Sequence, residues 1–190
     1  MRNLFYFIVF AFVVLLQSCS QEQDKINQET KDAAIRYAQE SQKILGKGLM
    51  GAIKNHDLTY AISFCSDTAE ILTQSISTVL NVKMKRVSDK NRNPNNAANA
   101  EELAYISKAK SLLLNGKALK PEYRISGDSI TAYIPIMTKP ICLNCHGEPA
   151  NMKTKVISKI IDLYPNDKAL DYKDHELRGI WVVEMKEVKP

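Results

Sequence analysis

The chain has 190 residues, of which 45% are hydrophobic and 25% charged, and its 26 Lys and Arg against 21 Asp and Glu leave a formal net charge of +5. This positive excess is mild and forms no clustered stripe, so no electrostatic case for nucleic acid arises. Roughly 170 residues remain once an N-terminal leader is set aside, enough for one domain with a single core, and no internal repeat or low-complexity segment argues for a second.

The leader comes first in chain order. Arg2 followed by the apolar run from Leu4 to Leu16 has the build of a secretory signal peptide, and it is shorter than the ~20 apolar residues of a spanning helix. Leu16-Gln17-Ser18-Cys19 resembles a bacterial lipobox, in which the cysteine becomes a lipidated N-terminus; an ordinary signal peptide with a chance cysteine is the alternative. Residues 1–18 are therefore expected to be the signal peptide, 19–30 a polar tether and 31–190 a single domain. Acyl chains on Cys19, at about 0.8 kcal/mol per buried CH₂, would hold the body at a membrane surface in the cell envelope, facing the periplasm or exterior.

Ile35, Ala38, Leu45, Leu49 and Ile53 share one helical face and predict a helix over Glu29 to Lys54, weakened by Gly46 and Gly48. Asp57 is a candidate N-cap for a second helix carrying Leu58, Ala61, Ile62, Cys65, Ala69, Leu72, Ile76 and Val79. Its apolar stripe points Cys65 inward. Val82 to Val87 alternates as a strand, Asn91 to Asn96 is dense in turn formers, and Asn99 to Asn115 reads as a helix with Gly116 after its end. Tyr123 to Ser126 and Ser129 to Met137 flank Gly127-Asp128 as a hairpin. Met152 to Leu163 predicts a helix, and Gly179 to Val188 a last strand. The fold class is α+β, with N-terminal helices packed against a small antiparallel sheet.

Chemistry is concentrated at Cys142-Leu143-Asn144-Cys145-His146. Two thiols three apart, followed at once by histidine, form the attachment pattern for c-type haem: the thiols add to the vinyl groups as thioethers and the imidazole becomes an axial ligand. A Cys-x-x-Cys redox pair, half a zinc site and a disulfide across a tight turn compete with it. Zinc would need four ligands, with only Cys65, His56 and His175 left to complete the set. A thiol oxidoreductase would open a helix within a βαβ pattern, which this chain lacks.

With Cys19 assigned to lipid and Cys142 and Cys145 to haem, Cys65 has no partner among the four cysteines. It is either a small buried hydrophobe or a second axial ligand, and composition favours the former. His56 and His175 read as surface or turn residues, and Met137 and Met152 as core or gap-filling rivals for the iron.

Several blocks together resemble the PAS-like c-type haem proteins, a family long carried as a domain of unknown function. They are Ala61-Ile62 with Cys65 and Ala69, Arg92-Asn93-Pro94 with Asn96, the motif through Gly147, Tyr164-Pro165 with Asp167 and Ala169, and Arg178-Gly179. The resemblance spans most of the mature chain and implies a PAS-like sheet carrying one covalent haem c, with Cys65 and His146 as axial ligands. The chain departs from the pattern at Ala98, where a proline often stands, and at Asp171 and His175, which replace glycines. Both types tolerate positive φ, so the turns are expected to survive.

An anionic thiolate stabilises ferric over ferrous iron, so a low potential and a looser Cys65 on reduction are expected. Arg92 is the candidate partner for a haem propionate, because a guanidinium can grip a carboxylate through two bonds; Tyr133 and Arg86 are further pocket candidates. Two functions stay open. One is a membrane-anchored electron carrier working with a partner redox protein, the other a redox or gas sensor acting through a separate partner. An enzyme is not expected, since a six-coordinate iron offers no open position and no distal acid/base pair is apparent.

Overall fold

The structure, a computed structural model, describes residues 26–188. The leader, Cys19 and its lipidation lie outside them.

Helix α1 (Gln28–Asn55) starts where Asn27 Oδ1 accepts the backbone N–H of Thr30 at 2.8 Å, an N-cap that satisfies an otherwise orphaned donor. Its buried face carries Ala33, Ala34, Ala38 and Leu45. The packed chain begins earlier than the expected boundary at 31: Ile26 is buried, and Thr30 Oγ1 accepts the N–H of Val188 at 2.8 Å. The polar run hid this because Ile26 and Thr30 find partners only at the far end of the chain. Nor do the glycines break α1. A Cβ on Gly48 would lie 2.5 Å from Phe64 Cζ, so the missing side chain is where the next helix packs.

The expected second helix is two, α2 (Leu58–Asp67) and α3 (Ala69–Leu80), divided at Thr68. The apolar spacing runs through the break because both halves bury one face, but against different neighbours. α2 packs its Ile62 on α6 (Thr154–Leu163), and α3 sends Ala69 into the core over the sheet. Asp57 caps α2, accepting from Tyr60 N at 2.9 Å.

The sheet contains β1 (Lys83–Val87), β2 (Glu122–Ser126), β3 (Ser129–Met137) and β4 (Leu177–Lys186), in the order β1-β4-β3-β2 with every pairing antiparallel. β2 and β3 form the hairpin predicted around Gly127, whose φ of 59° suits the reversal. One face, with Met84, Ala132, Trp181 and Val183, packs against α1 and α3. The other, with Val87, Tyr133, Ile180 and Val182, packs against α4 (Ala100–Leu114), whose start carries a full capping box between Asn99 and Glu102. Ile106 and Ile180 are both essentially fully buried, each contributing about 2 kcal/mol. Gly179 is required where β1 meets β4, since a Cβ there would fall 2.4 Å from Val87 O. Open sheet and flanking helices together make the expected α+β architecture.

Between β3 and β4 lie the one-turn helix α5 (Leu143–His146) and then α6. Cys145 packs beside Ile62 of α2 and Val156 and Ile160 of α6. The motif is thereby held against the helical layer that carries Cys65.

Candidate functional site

Pro140 opens a turn of 3₁₀ helix that runs into α5, winding the motif so that Cys142, Cys145 and His146, at i, i+3 and i+4, share one face. The opposite face, Leu143, Asn144 and Gly147, lines a separate cleft of about 750 Å³ with Leu58, Lys153 and Tyr172. Of the candidate iron donors only Met152 lines that cleft; Cys65, Cys142, Cys145 and His146 do not.

His146 is held by the loop that follows α6. Its Nδ1 lies 2.8 Å from Ala169 O. A carbonyl can only accept, so Nδ1 carries the proton and Nε2 keeps its lone pair. Burial, reinforced by the positive charges of Arg178 and Arg92, pushes the imidazole pKa well below its usual value and keeps the ring neutral. That is the protonation state a metal binds, with the outer nitrogen fixed by a second hydrogen bond. The same loop ties down the end of α5: Tyr172 N donates to His146 O at 2.9 Å and Asp171 N to Gly147 O at 3.0 Å. The Tyr172 ring meets the imidazole edge-on at 6.3 Å. Asp171 and His175 take φ of 61° and 60°, so both stand in the left-handed conformation expected where glycine was replaced.

Arg92 has a different partner from the one expected. Its Nε and Nη2 donate to Asp167 Oδ2 at 3.1 and 2.9 Å, and Nη2 also donates to Cys145 O at 2.6 Å. The pair is nearly buried, with side-chain exposures of 10% and 6%. Asp167 Oδ1 in turn accepts Ala169 N at 2.8 Å. In this arrangement Arg92 locks the carbonyl of Cys145 and the loop that orients His146.

Cys65 is correspondingly different from the inward-pointing residue expected of it. Ala61 and Ile62 are the buried residues of α2, whereas Cys65 is exposed. Desolvation by the surrounding protein raises its thiol pKa, opposed by the charges of Arg86 and Arg92. The side chain is open to solvent, and the buried-hydrophobe reading does not survive. Burial also raises the Cys145 thiol, with Arg92 opposing and Cys65 and Cys142 adding to the shift. Cys145 packs in the cluster with Ile62, one turn before Cys65 on α2.

The zinc reading of the motif loses its support. Cys142 and Cys145 are free thiols. Among the described residues no three His, Cys, Asp or Glu side chains cluster to hold a metal ion, as zinc would need; a porphyrin brings four nitrogens and needs only two axial donors. His56 stacks on Tyr60 at 3.9 Å and His175 is 86% exposed beside Asp174. Met137 packs in the core under α4, as does Tyr133, which is therefore no pocket residue. Asp167, Ala169, Tyr172 and Arg178 carry roles at the site that spacing alone did not assign. Asp167, Ala169 and Arg178 stood in the resembling blocks without a function, and nothing flagged Tyr172.

No helix among the described residues is long and apolar enough to cross a membrane. No curated protein matches the chain. Among solved structures, the cyanobacterial haem protein Tll0287 shares the fold with a TM-score of 0.62 at 17% identity, covering 86% of this chain and 99% of that one. The sequence model of the family described as Tll0287-like matches residues 15–186, and the chain belongs to that family.

Proposed function

We propose that this protein is a membrane-anchored c-type cytochrome that moves single electrons. The observation that carries the reading is His146, neutral, with Nδ1 fixed on Ala169 O and two free thiols on its own helical face. The fold neighbour Tll0287 is described as a haem protein, which supports the same cofactor here. When bound, haem supplies a reversible Fe(III)/Fe(II) couple. Cys142 and Cys145 would tether the porphyrin as thioethers, and His146 Nε2 and Cys65, from α2, would hold its iron. A thiolate donor favours the ferric state, giving a low midpoint. Cys19 anchors the protein by lipid at the cell envelope, and a partner redox protein exchanges the electron.

A sensor is the second reading, and the openness of Cys65 favours it: an exposed ligand on a short helix can leave. Low-temperature EPR of the oxidised protein beside a Cys65→Ser variant tests the coordination. A low-spin thiolate signal lost in the variant is the expected result; an unchanged spectrum would remove Cys65 from the iron. Redox cycling without ligand loss separates the carrier from the sensor.

A further inference from the structure

The packed chain starts at one end of the sheet and is clasped there to its own last residues. Asn27 Nδ2 donates to Val188 O at 2.8 Å, Asn27 N to Glu187 Oε1 at 3.2 Å, and Val188 N to Thr30 Oγ1 at 2.8 Å. The hairpin turn at Gly127 lies at the same end, because Ser129 pairs with Lys186.

Cys142, Cys145 and His146 stand at the opposite end. β3 runs from Ser129 to Met137, whose partner Leu177 opens β4, and the motif follows from there. Thr138 N donates to Glu176 O at 2.8 Å and Tyr172 N to His146 O at 2.9 Å, so the segments that hold the imidazole gather where β4 begins. The helices keep the same axis. In α1, Thr30 meets Val188, Gln42 Oε1 accepts from Trp181 Nε1 at 3.2 Å, and Gly48 faces Phe64 of α2. α3 returns: Glu70, near its start, accepts from Asn93 and Asn95, each at 3.3 Å, and its end leads into β1, where Lys83 pairs with Glu184. The 10 residues of β4 separate the two ends by about 30 Å.

A lipid on Cys19 would therefore hold the end remote from the motif. Seven residue steps join Cys19 to Ile26, which is already buried, and a chain of that length spans at most ~25 Å when fully extended. A body standing with the motif against the bilayer would need this link to climb the whole sheet, about 30 Å. The link is too short. Nor does the helix that carries it suit a lipid surface, since the exposed face of α1 shows Glu29, Asp32, Arg36, Glu40 and Lys43, charges of both signs where an interfacial helix needs an apolar stripe. At the far end Lys139, Pro140 and Ile141 are exposed and lead directly into Cys142. We propose that this end, rimmed by Lys139, Pro140 and Ile141, faces the aqueous side and docks a water-soluble electron-transfer protein, one electron being lost by one protein and gained by the other, rather than a quinone dissolved in the bilayer. This rests on the anchor and haem readings above.

The experiment uses the lipidated, haem-loaded full chain on phosphatidylcholine vesicles that contain a lipid with a maleimide headgroup. Asp128→Cys marks the clasped end and Lys173→Cys the motif end, and coupling to lipid is followed by peptide mapping. Asp128→Cys couples at least about tenfold faster, because the short link gives the motif end almost no effective concentration at the surface. A Gly-Ser insert after Gln21, long enough to span the body, brings the two rates together. In stopped flow, soluble cytochrome c oxidises the reduced protein as fast on vesicles as in detergent, whereas ubiquinone confined to the bilayer oxidises it slowly until the insert is present. Equal coupling at both positions on the natural link, or a quinone rate that the insert does not raise, overturns the proposal while leaving the anchor and the haem in place. A chain without lipid on Cys19 does not float with the vesicles and overturns the anchor reading and the proposal together. A chain without thioether-bound haem keeps the coupling ratio but shows no redox change, which overturns the haem reading and the docked partner with it.

Discussion

The His146 and Cys65 sides of the site are built on opposite principles. Around His146 the hydrogen bonds interlock: Arg92 to Asp167 and Cys145 O, Asp167 to Ala169 N, Ala169 O to the imidazole, and Tyr172 N back to His146 O. Around Cys65 there is a short helix, an exposed sulfur and diffuse positive charge from Arg86 and Arg92. One donor is positioned by a network that resists displacement, the other by a ten-residue helix resting on its apolar contacts. The contrast teaches that two sides of one site can be held with unequal permanence, so a disturbance there is felt first, and most, on the loosely held side.

The sharpest way to break that contrast is Asp167→Ala, which strands the buried Arg92 charge and unties the Ala169 loop. It should cost about 3–5 kcal/mol, as breaking a buried pair does, and lower the melting temperature by on the order of 10 °C. A melt within a degree or two of the parent would mean the His146 side is no more rigid than the other. Cys65→Ser is the matched experiment on the open side. It should shift stability by less than about 0.5 kcal/mol, as exposed substitutions do, while abolishing the thiolate signature of the oxidised protein. Large destabilisation in urea titration would return Cys65 to a packing role.

A finer probe concerns α2 itself. The Asp57 carboxylate accepts from Thr59 Oγ1 at 2.5 Å, Lys155 Nζ at 2.9 Å and Tyr60 N at 2.9 Å, in that order of influence, and its pKa falls far below the usual carboxylate range. A depressed folded pKa means the unfolded chain binds the proton more readily. The support is complete above the unfolded pKa of about 3.9 and fades as pH drops below it. The amide-exchange protection of α2, corrected for the intrinsic rate at each pH, should therefore fall below about pH 4. Asp57→Asn, which keeps an N-cap oxygen, should flatten that dependence with little change at neutral pH; a variant with the parent's acid profile would locate the loss elsewhere.

Local signals in the chain carried much of this. The Asp57 and Asn99 caps, the hairpin around Gly127 and the grouping of Cys142, Cys145 and His146 on one face all follow from short-range geometry, and each appears in the structure. The tolerance of Asp171 and His175 for positive φ belongs to the same class, because sterics within one residue decide it. Where elements had to be joined, local signals stopped. The break at Thr68 is invisible to periodicity, since α2 and α3 each show an apolar stripe and only their different neighbours require the turn.

Side-chain roles divided the same way. That an arginine at 92 grips a carboxylate was readable from its chemistry; that the carboxylate is Asp167, 75 residues away, was not. Cys65 looked like a core residue because its stripe counts apolar positions, whereas its exposure depends on where α5 and α6 leave a gap. Sequence alone determined which groups can bond and which turns can form, because those are properties of a residue and its near neighbours. Tertiary structure decided which groups meet, because partners tens of residues apart are chosen by how the sheet and helices pack.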